Sequence, residues 1–377
     1  GAGMNHSLSG SLTLTAGTLQ CASSSVSLGG NWTQNGGTFS PGTGTVFLSG
    51  SSAQFIGGSL AASFNNLTVQ NSAGVSLSVN TSIGGTLSLV AGILSTGSNT
   101  LSVTNPDPAS VGNGSTTAFI AGALTRSMTS GQDYHFPVGT GSVYLPFHLA
   151  GVTGTSPQVR IQAFTGNAGG TPSAPLTRLS GTEYWSASVV TGSYLGGSVT
   201  LTRQEALIDL ESVARSATQS GTYLNLNGTV NGTSIQGSDN TGGSLGFFLM
   251  ASQRSISTGT ISPSVLCPGS PVDVPFTKTG IFGGGNVFTA QLSDASGSFA
   301  SPVTIGTLAS TGSGTIQATL PAGQPTGNGY RIRVISSTPS LTGTDNGSDL
   351  SLTYPAVSVA FAGSSCGPGT VTLSAMA

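Results

Sequence analysis

The feature that most constrains this chain is a two-residue alternation of small apolar and hydroxyl side chains, interrupted again and again by glycine and asparagine. Ser11-Leu-Thr-Leu-Thr15, Val26-Ser-Leu28, Leu67-Thr-Val69, Val75-Ser-Leu-Ser-Val79, Leu87-Ser-Leu89 and Leu101-Ser-Val103 each send apolar groups to one side of an extended backbone and hydroxyls to the other. Gly-Gly, Asn-Gly and Asn-Ser pairs between these runs carry turn chemistry. One segment recurs closely: Gly10-Ser-Leu-Thr-Leu-Thr-Ala-Gly-Thr-Leu19 against Gly85-Thr-Leu-Ser-Leu-Val-Ala-Gly-Ile-Leu94. A single short rung cannot bury its apolar side alone, so recurring short strands point to stacking. Residues 1–106 are expected to form a β-solenoid, a right-handed parallel β-helix. A β-sandwich of alternating strands presents the same local pattern and stands as the alternative.

Charge narrows the reading further. Only 5% of the 377 residues are ionised types, against about 25% in ordinary soluble domains. Residues 1–106 have none, whereas ten fall between Arg126 and Arg215. Nine Lys+Arg, with Lys278 the single lysine, against eleven Asp+Glu leave no basic surface to neutralise phosphates or anionic lipid. Nucleic acid and membrane surfaces are therefore poor partners, and no apolar run reaches the roughly 18–20 residues of a membrane-spanning helix. Disorder fits badly, because disordered segments combine low hydrophobicity with high net charge. An uncharged stretch must be hydrated through Ser, Thr, Asn and backbone, be glycosylated, or pack against neighbours. With helix-forming Glu, Lys, Gln and Arg scarce, the fold class expected is all-β. The opening Gly1-Ala-Gly-Met4 has no charged segment leading an apolar one, and reads as the start of a mature or excised piece.

Composition shifts at Asn105-Pro-Asp-Pro108. Residues 114–255 regain charge and aromatics, and seven runs (118–124, 143–150, 158–164, 184–190, 198–202, 222–226 and 245–251) suggest a β-sandwich middle module. Gln204–Ala217 has helix-like spacing in Ala206, Leu207, Leu210, Val213 and Ala214, with an irregular loop as the equal reading. Residues 256–355 carry six alternating runs, the size of an immunoglobulin-like β-sandwich. Ser365-Cys-Gly-Pro-Gly-Thr-Val-Thr-Leu373 echoes Leu266-Cys-Pro-Gly-Ser-Pro-Val-Asp-Val274, so residues 356–377 read as the first strand of a following repeat.

Reactive groups are few. Cys21, Cys267 and Cys366 are odd in number and lack metal-ligand spacing; no bond is expected between Cys267 and Cys366. His6, His135 and His148 are the only imidazoles, and Asp133 could join the latter two, but a strand-face role is the simpler reading. Glu183, Glu205 and Glu211 are the only glutamates and share a module with Arg178, Arg203 and Arg215, which suggests surface salt bridges more than a glycosidase pair. No catalytic residue and no cofactor is therefore expected. Calcium is the one ion considered: Asp294, Asp345 and Asp349 lie in turn-like spacing, where Asx-turns are the plainer explanation. Tyr184 and Tyr194 are candidate glycan contacts, while Trp32 and Trp185 read as core. Asn-x-Ser/Thr triplets at Asn31, Asn66, Asn80, Asn227, Asn231 and Asn346 arise readily in so Asn-, Ser- and Thr-rich a chain.

Three stretches carry a resemblance. Asn31-Trp-Thr-Gln-Asn-Gly-Gly-Thr-Phe-Ser-Pro-Gly-Thr-Gly-Thr-Val46 with Phe64-Asn-Asn-Leu-Thr-Val69, His135-Phe-Pro-Val-Gly139 with Tyr144-Leu-Pro-Phe147, and Asn286–Phe299 with Gly329-Tyr-Arg-Ile-Arg-Val334 resemble the large modular surface proteins of Bacteroidetes exported by type IX secretion. Their characteristic C-terminal sorting domain has no counterpart in this sequence. The resemblance implies an extracellular, cell-surface place; with so few ionised side chains, the chain reads as a non-enzymatic structural or adhesive segment of a long modular fibre, with copies of itself, other surface proteins or glycans as partners. A carbohydrate-binding module and a secreted polysaccharide-acting hydrolase are the alternatives.

Overall fold

Each alternating run of the first third pairs in parallel with its counterpart one turn later, because only that stacking shields the apolar side of so short a strand. The computed structural model describes residues 3–238 and 241–354. It is all-β, 55% strand and 1% helical, and contains a β-solenoid of about 7 turns. The strand of a following repeat expected within 356–377, with Cys366, lies outside the described residues.

Asn5–Leu8, Ser25–Leu28, Thr45–Leu48, Asn66–Gln70 and Leu87–Ala91 form one face of the coil. Asn5, Ser25, Thr45 and Asn66 stack in register. Val26, Val46, Leu67 and Leu87 stack inward and are buried. A second face aligns Leu12–Leu14, Trp32–Gln34, Gln54–Gly58, Val75–Leu77, Leu94–Ser95, Ile120–Ala121 and Val138–Thr140. A third aligns Ala62–Phe64, Thr81–Ile83, Leu101–Val103 and Ala123–Ser127. Each inward Leu or Val contributes about 1.5–3 kcal/mol by burial, so the apolar stack supplies most of the stability. Trp32 anchors it, edge-on to Phe39 at 4.6 Å and to Phe64 at 4.9 Å.

Neutral polar side chains hold neighbouring turns together in place of charges. Asn31 Oδ1 accepts from Phe55 N, Asn35 Oδ1 from Ser59 N, Asn66 Oδ1 from Thr86 N and Asn80 Oδ1 from Thr100 N, at 2.8–3.1 Å. Asn66 Nδ2 also donates to Thr43 O, tying three turns at one corner. Three of these staples, Asn31, Asn66 and Asn80, are among the Asn-x-Ser/Thr asparagines of the sequence.

The internal repeat does not keep its face. Leu12–Leu14 belongs to the second face, but Leu87–Ala91 to the first. What the two copies share is a corner: Gly17 and Gly92 both take positive φ, 74° and 82°. At Gly92 a Cβ would stand 1.7 Å from Asn71 O, so the corner excludes side chains.

The coil runs on past Asn105–Pro108. Leu94 pairs with Ile120, Leu101 with Leu124 and Ile120 with Val138, all in parallel. It then passes into antiparallel pairing, Ala123–Ser127 with Phe147–Thr165 and Val138–Thr140 with Val143–Tyr144. One apolar core accordingly extends from the coil to residues such as Trp185, Phe248 and Met250.

Two strands expected as four separate pieces are continuous. Phe147–Thr165 and Glu183–Thr202 pair along their lengths as an antiparallel ribbon of 19 and 20 residues. Register shifts between Ala150 and Val159, with positive φ at Gly151, Gly154, Ser156 and Gly192, bend it. A straight strand of this length would hold its ends on the order of 60 Å apart. Arg203, just beyond one end, instead lies 3.6 Å from Glu183 at the other, so the ribbon folds back on itself. Gln204–Ala217 contains no helix: a loop leads to Ser212–Ser216, a strand paired with Gly246–Gln253. Its apparent 3.6 spacing combines loop anchors such as Leu210 with strand residues Val213 and Ala214, which are fully buried.

The chain divides into two compact units, residues 1–255 with 279–282, and residues 256–278 with the chain from 283. In the second, Val303–Ala309, Val287–Leu292, Ile332–Ser337, Ser340–Asp345, Ser255–Thr258, Pro271–Thr279 and Gly314–Thr319 form, in that order, a seven-stranded sheet. Val265–Leu266, Leu350–Leu352 and Gly327–Tyr330 form a three-stranded one. The six alternating runs of the sequence, 272–277, 287–292, 303–308, 314–320, 330–336 and 349–354, each overlap a strand. Ser340–Asp345, polar throughout apart from Leu341, gave no apolar alternation to detect it.

Candidate functional site

Seven of the chain's few charged residues gather where the folded ribbon closes. Glu183 begins the strand Glu183–Thr202 and is 4% exposed. Its Oε1 accepts from Ser180 Oγ at 2.9 Å and its Oε2 from Thr182 Oγ1 at 2.6 Å. Arg203 Nη1 faces it at 3.6 Å, an ionic contact longer than a hydrogen bond. Arg203 Nε is buried without a hydrogen-bond partner. Glu205, two residues on, is exposed at the mouth.

The loop carrying these groups is fixed at several points. Arg178 Nη2 donates to Ile208 O and Asp209 O, both at 3.2 Å. Asp209 pairs with Arg254 at 2.7 Å, and Arg254 Nε donates to Ile281 O. Gln253 N donates to Glu211 Oε1 at 2.8 Å, and burial pushes the Glu211 carboxyl above its ordinary range. The result is a cleft with two lobes of about 300 and 210 Å³, which share Thr182, Arg203 and Glu205. Glu183 and Glu205 thus meet at one cleft, while Glu211 stands apart at the base of the loop. Glu183 serves there as the counter-ion of Arg203 and as acceptor for two hydroxyls.

The histidines form a different constellation. His135 opposes His148 across two strands, with ring centroids 6.3 Å apart. His135 Nε2 lies 2.8 Å from Asn113 O and 3.1 Å from Tyr144 Oη, and Tyr144 Oη donates to Asn113 O at 2.6 Å. Burial pushes His135 down to about 4 and Tyr144 up to about 12. Asp133 Oδ1 accepts from Gly151 N. The group clamps the loop at Asn113, and among the described residues the His135 ring meets Asn113 O and Tyr144 Oη, not a serine or cysteine.

The remaining candidates are placed as follows. Tyr184 is buried and stacks on Phe164 at 4.8 Å, with an interplanar angle of 9°. Tyr194 is buried, its hydroxyl 3.0 Å from Thr241 Oγ1. Both rings pack inside the protein. Asp294 Oδ1 accepts from Ser296 N, Ser296 Oγ and Ser298 N, an Asx-turn. Asp345 and Asp349 both bind Arg331, at 3.4 and 2.7 Å. Among the described residues no three His, Cys, Asp or Glu side chains cluster to hold a metal ion. Cys21 and Cys267 are free thiols.

Sequence reasoning grouped Glu183 with Arg203 as surface salt-bridge partners; the two do meet, but with side chains only 5% and 12% exposed the pair is buried. A separate cavity of about 350 Å³ is lined by His6, Leu8, Leu12, Leu19, Cys21 and Val26. Comparisons with protein families, with curated proteins and with solved structures gave no match.

Proposed function

We propose that this chain is a non-enzymatic structural and adhesive segment of a long modular cell-surface fibre, and that it associates with copies of itself along the uncharged faces of its solenoid. The observation that supports this reading is that residues 1–106 contain no Asp, Glu, Lys or Arg while their stacked strands turn hydroxyl side chains such as Ser63 and Ser76 to the outside. Residues 1–106 bring no ionised Asp, Glu, Lys or Arg to the contact, so it opposes no like charges.

The resemblance to modular Bacteroidetes surface proteins supports an extracellular place. On the same reading the second unit, with one seven-stranded and one three-stranded sheet, is an immunoglobulin-like spacer. Analytical ultracentrifugation at low salt tests the association. Concentration-dependent oligomers are expected, weakened in Ser63→Glu and in Ser76→Glu, each of which puts charge on an exposed strand position without touching the buried stack. A protein that remains monomeric at high concentration would refute it.

A further inference from the structure

We propose that the cleft around Arg203 binds a neutral, hydroxyl-rich ligand, a saccharide unit, between the guanidinium of Arg203 and the carboxylate of Glu205. The first reason is an under-used cation. Arg203 lines both lobes of the cleft, and its contact with Glu183, from Nη1, is 3.6 Å long, beyond the length of a good hydrogen bond. A guanidinium carries five N–H donors, and an acceptor oxygen entering the cleft would meet those that face it.

The second reason is charge balance, which selects among the possible guests. Arg178 and Arg203 face the cleft against Glu183 and Glu205. A simple anion entering beside Arg203 meets Glu205, and a simple cation meets two guanidinium groups. A hydroxyl escapes both penalties, since it accepts from the arginine while donating to the carboxylate. Adjacent hydroxyls on one ring can satisfy Arg203 and Glu205 together.

Shape agrees with this chemistry. The lobes, about 300 and 210 Å³, suit a small ligand. Ile208, 74% exposed at the rim, offers C–H surface for the apolar face of a sugar ring. The loop is already pinned through Arg178 and by the Asp209–Arg254 pair, so little ordering is left to oppose binding.

The test is saturation-transfer NMR on the whole chain with the methyl pyranosides of glucose, galactose, mannose and xylose, and with acetate as an anion lacking hydroxyls. At least one pyranoside is expected to receive saturation, and acetate none. Glu205→Ala, at an exposed position, should weaken that binding about tenfold or more, with an unchanged near-ultraviolet circular dichroism spectrum. Arg203→Lys keeps a cation opposite Glu183 but removes the planar fork of donors, and should weaken it likewise. The proposal is overturned if no pyranoside binds, if acetate alone binds, or if Glu205→Ala binds as the parent does.

Discussion

Arg126 lies 5.0 Å over the ring of Tyr134, and the two fully buried side chains close on the same short segment of backbone. Tyr134 Oη donates to Pro106 O at 2.5 Å, while Arg126 Nη2 donates to Asp107 O and Pro108 O at 3.2 and 2.8 Å. Arg126 Nη1 reaches His135 O at 2.6 Å. Desolvation lowers the guanidinium to about 10, so it remains a cation at neutral pH. The segment where the sequence changes character is therefore clamped onto the coil.

Arg126→Met should lower unfolding free energy by about 3 kcal/mol or more, because three carbonyls and the Ser110 hydroxyl lose their donor together. Arg126→Lys should recover less than half of that, since one ammonium cannot span acceptors spread around a planar fork. Urea unfolding midpoints of the two variants check both statements.

His135 makes stability depend on pH. Burial holds its folded pKa at about 4, below the ordinary 6.5, so the unfolded chain takes up a proton that the folded chain refuses. Stability is full above pH 6.5, falls as pH drops from there to about 4, and levels off below. The total loss should be about 3 kcal/mol. His148, also lowered by burial, acts in the same direction; Glu211, raised by burial, acts against it. Urea titrations at pH 7, 5 and 4 should show the decline, and His135→Gln should flatten most of it. An equally steep decline in that variant would assign the effect elsewhere.

The strands and the coil were legible because their signal is local. Leu101-Ser-Val103 and Val287–Leu292 show alternation over their own lengths, and each is a strand with those bounds. The face on which a run falls was not legible, since all faces bury the same small residues; Gly10–Leu19 and Gly85–Leu94 are alike in sequence yet lie one face apart. Glycine misled in the ribbon, where Gly151, Gly154 and Gly192 looked like strand ends and are bends within strands. The cleft was invisible for a related reason: Glu183 and Arg203 are joined by that fold-back, which no local pattern encodes.

The asparagine staples should act individually and modestly. Asn80→Ala removes one inter-turn bond and should cost about 1 kcal/mol. Asn80→Asp keeps the acceptor for Thr100 N and should be milder. Asn66→Asp should be worse than Asn80→Asp, because Asn66 Nδ2 donates to Thr43 O and a carboxylate there would face a carbonyl. Thermal unfolding of the three variants gives the ranking, and equal effects of the two Asp substitutions would contradict it.

The Glu183–Arg203 pair should prove strongly coupled. Arg203→Met strands a carboxylate whose side chain is only 5% exposed, at a cost of about 3–5 kcal/mol. Glu183→Met leaves Arg203 beside an open cleft where water can reach it, so it should cost less. The double variant has no buried charge left to compensate and should lie within about 1–2 kcal/mol of the parent. A double-mutant cycle in urea measures the coupling. If the double variant is as unstable as the two single changes summed, the pair does not act as a unit, and the closure of the ribbon rests on apolar contacts such as Trp185, whose Nε1 reaches across to Leu145 O at 2.8 Å.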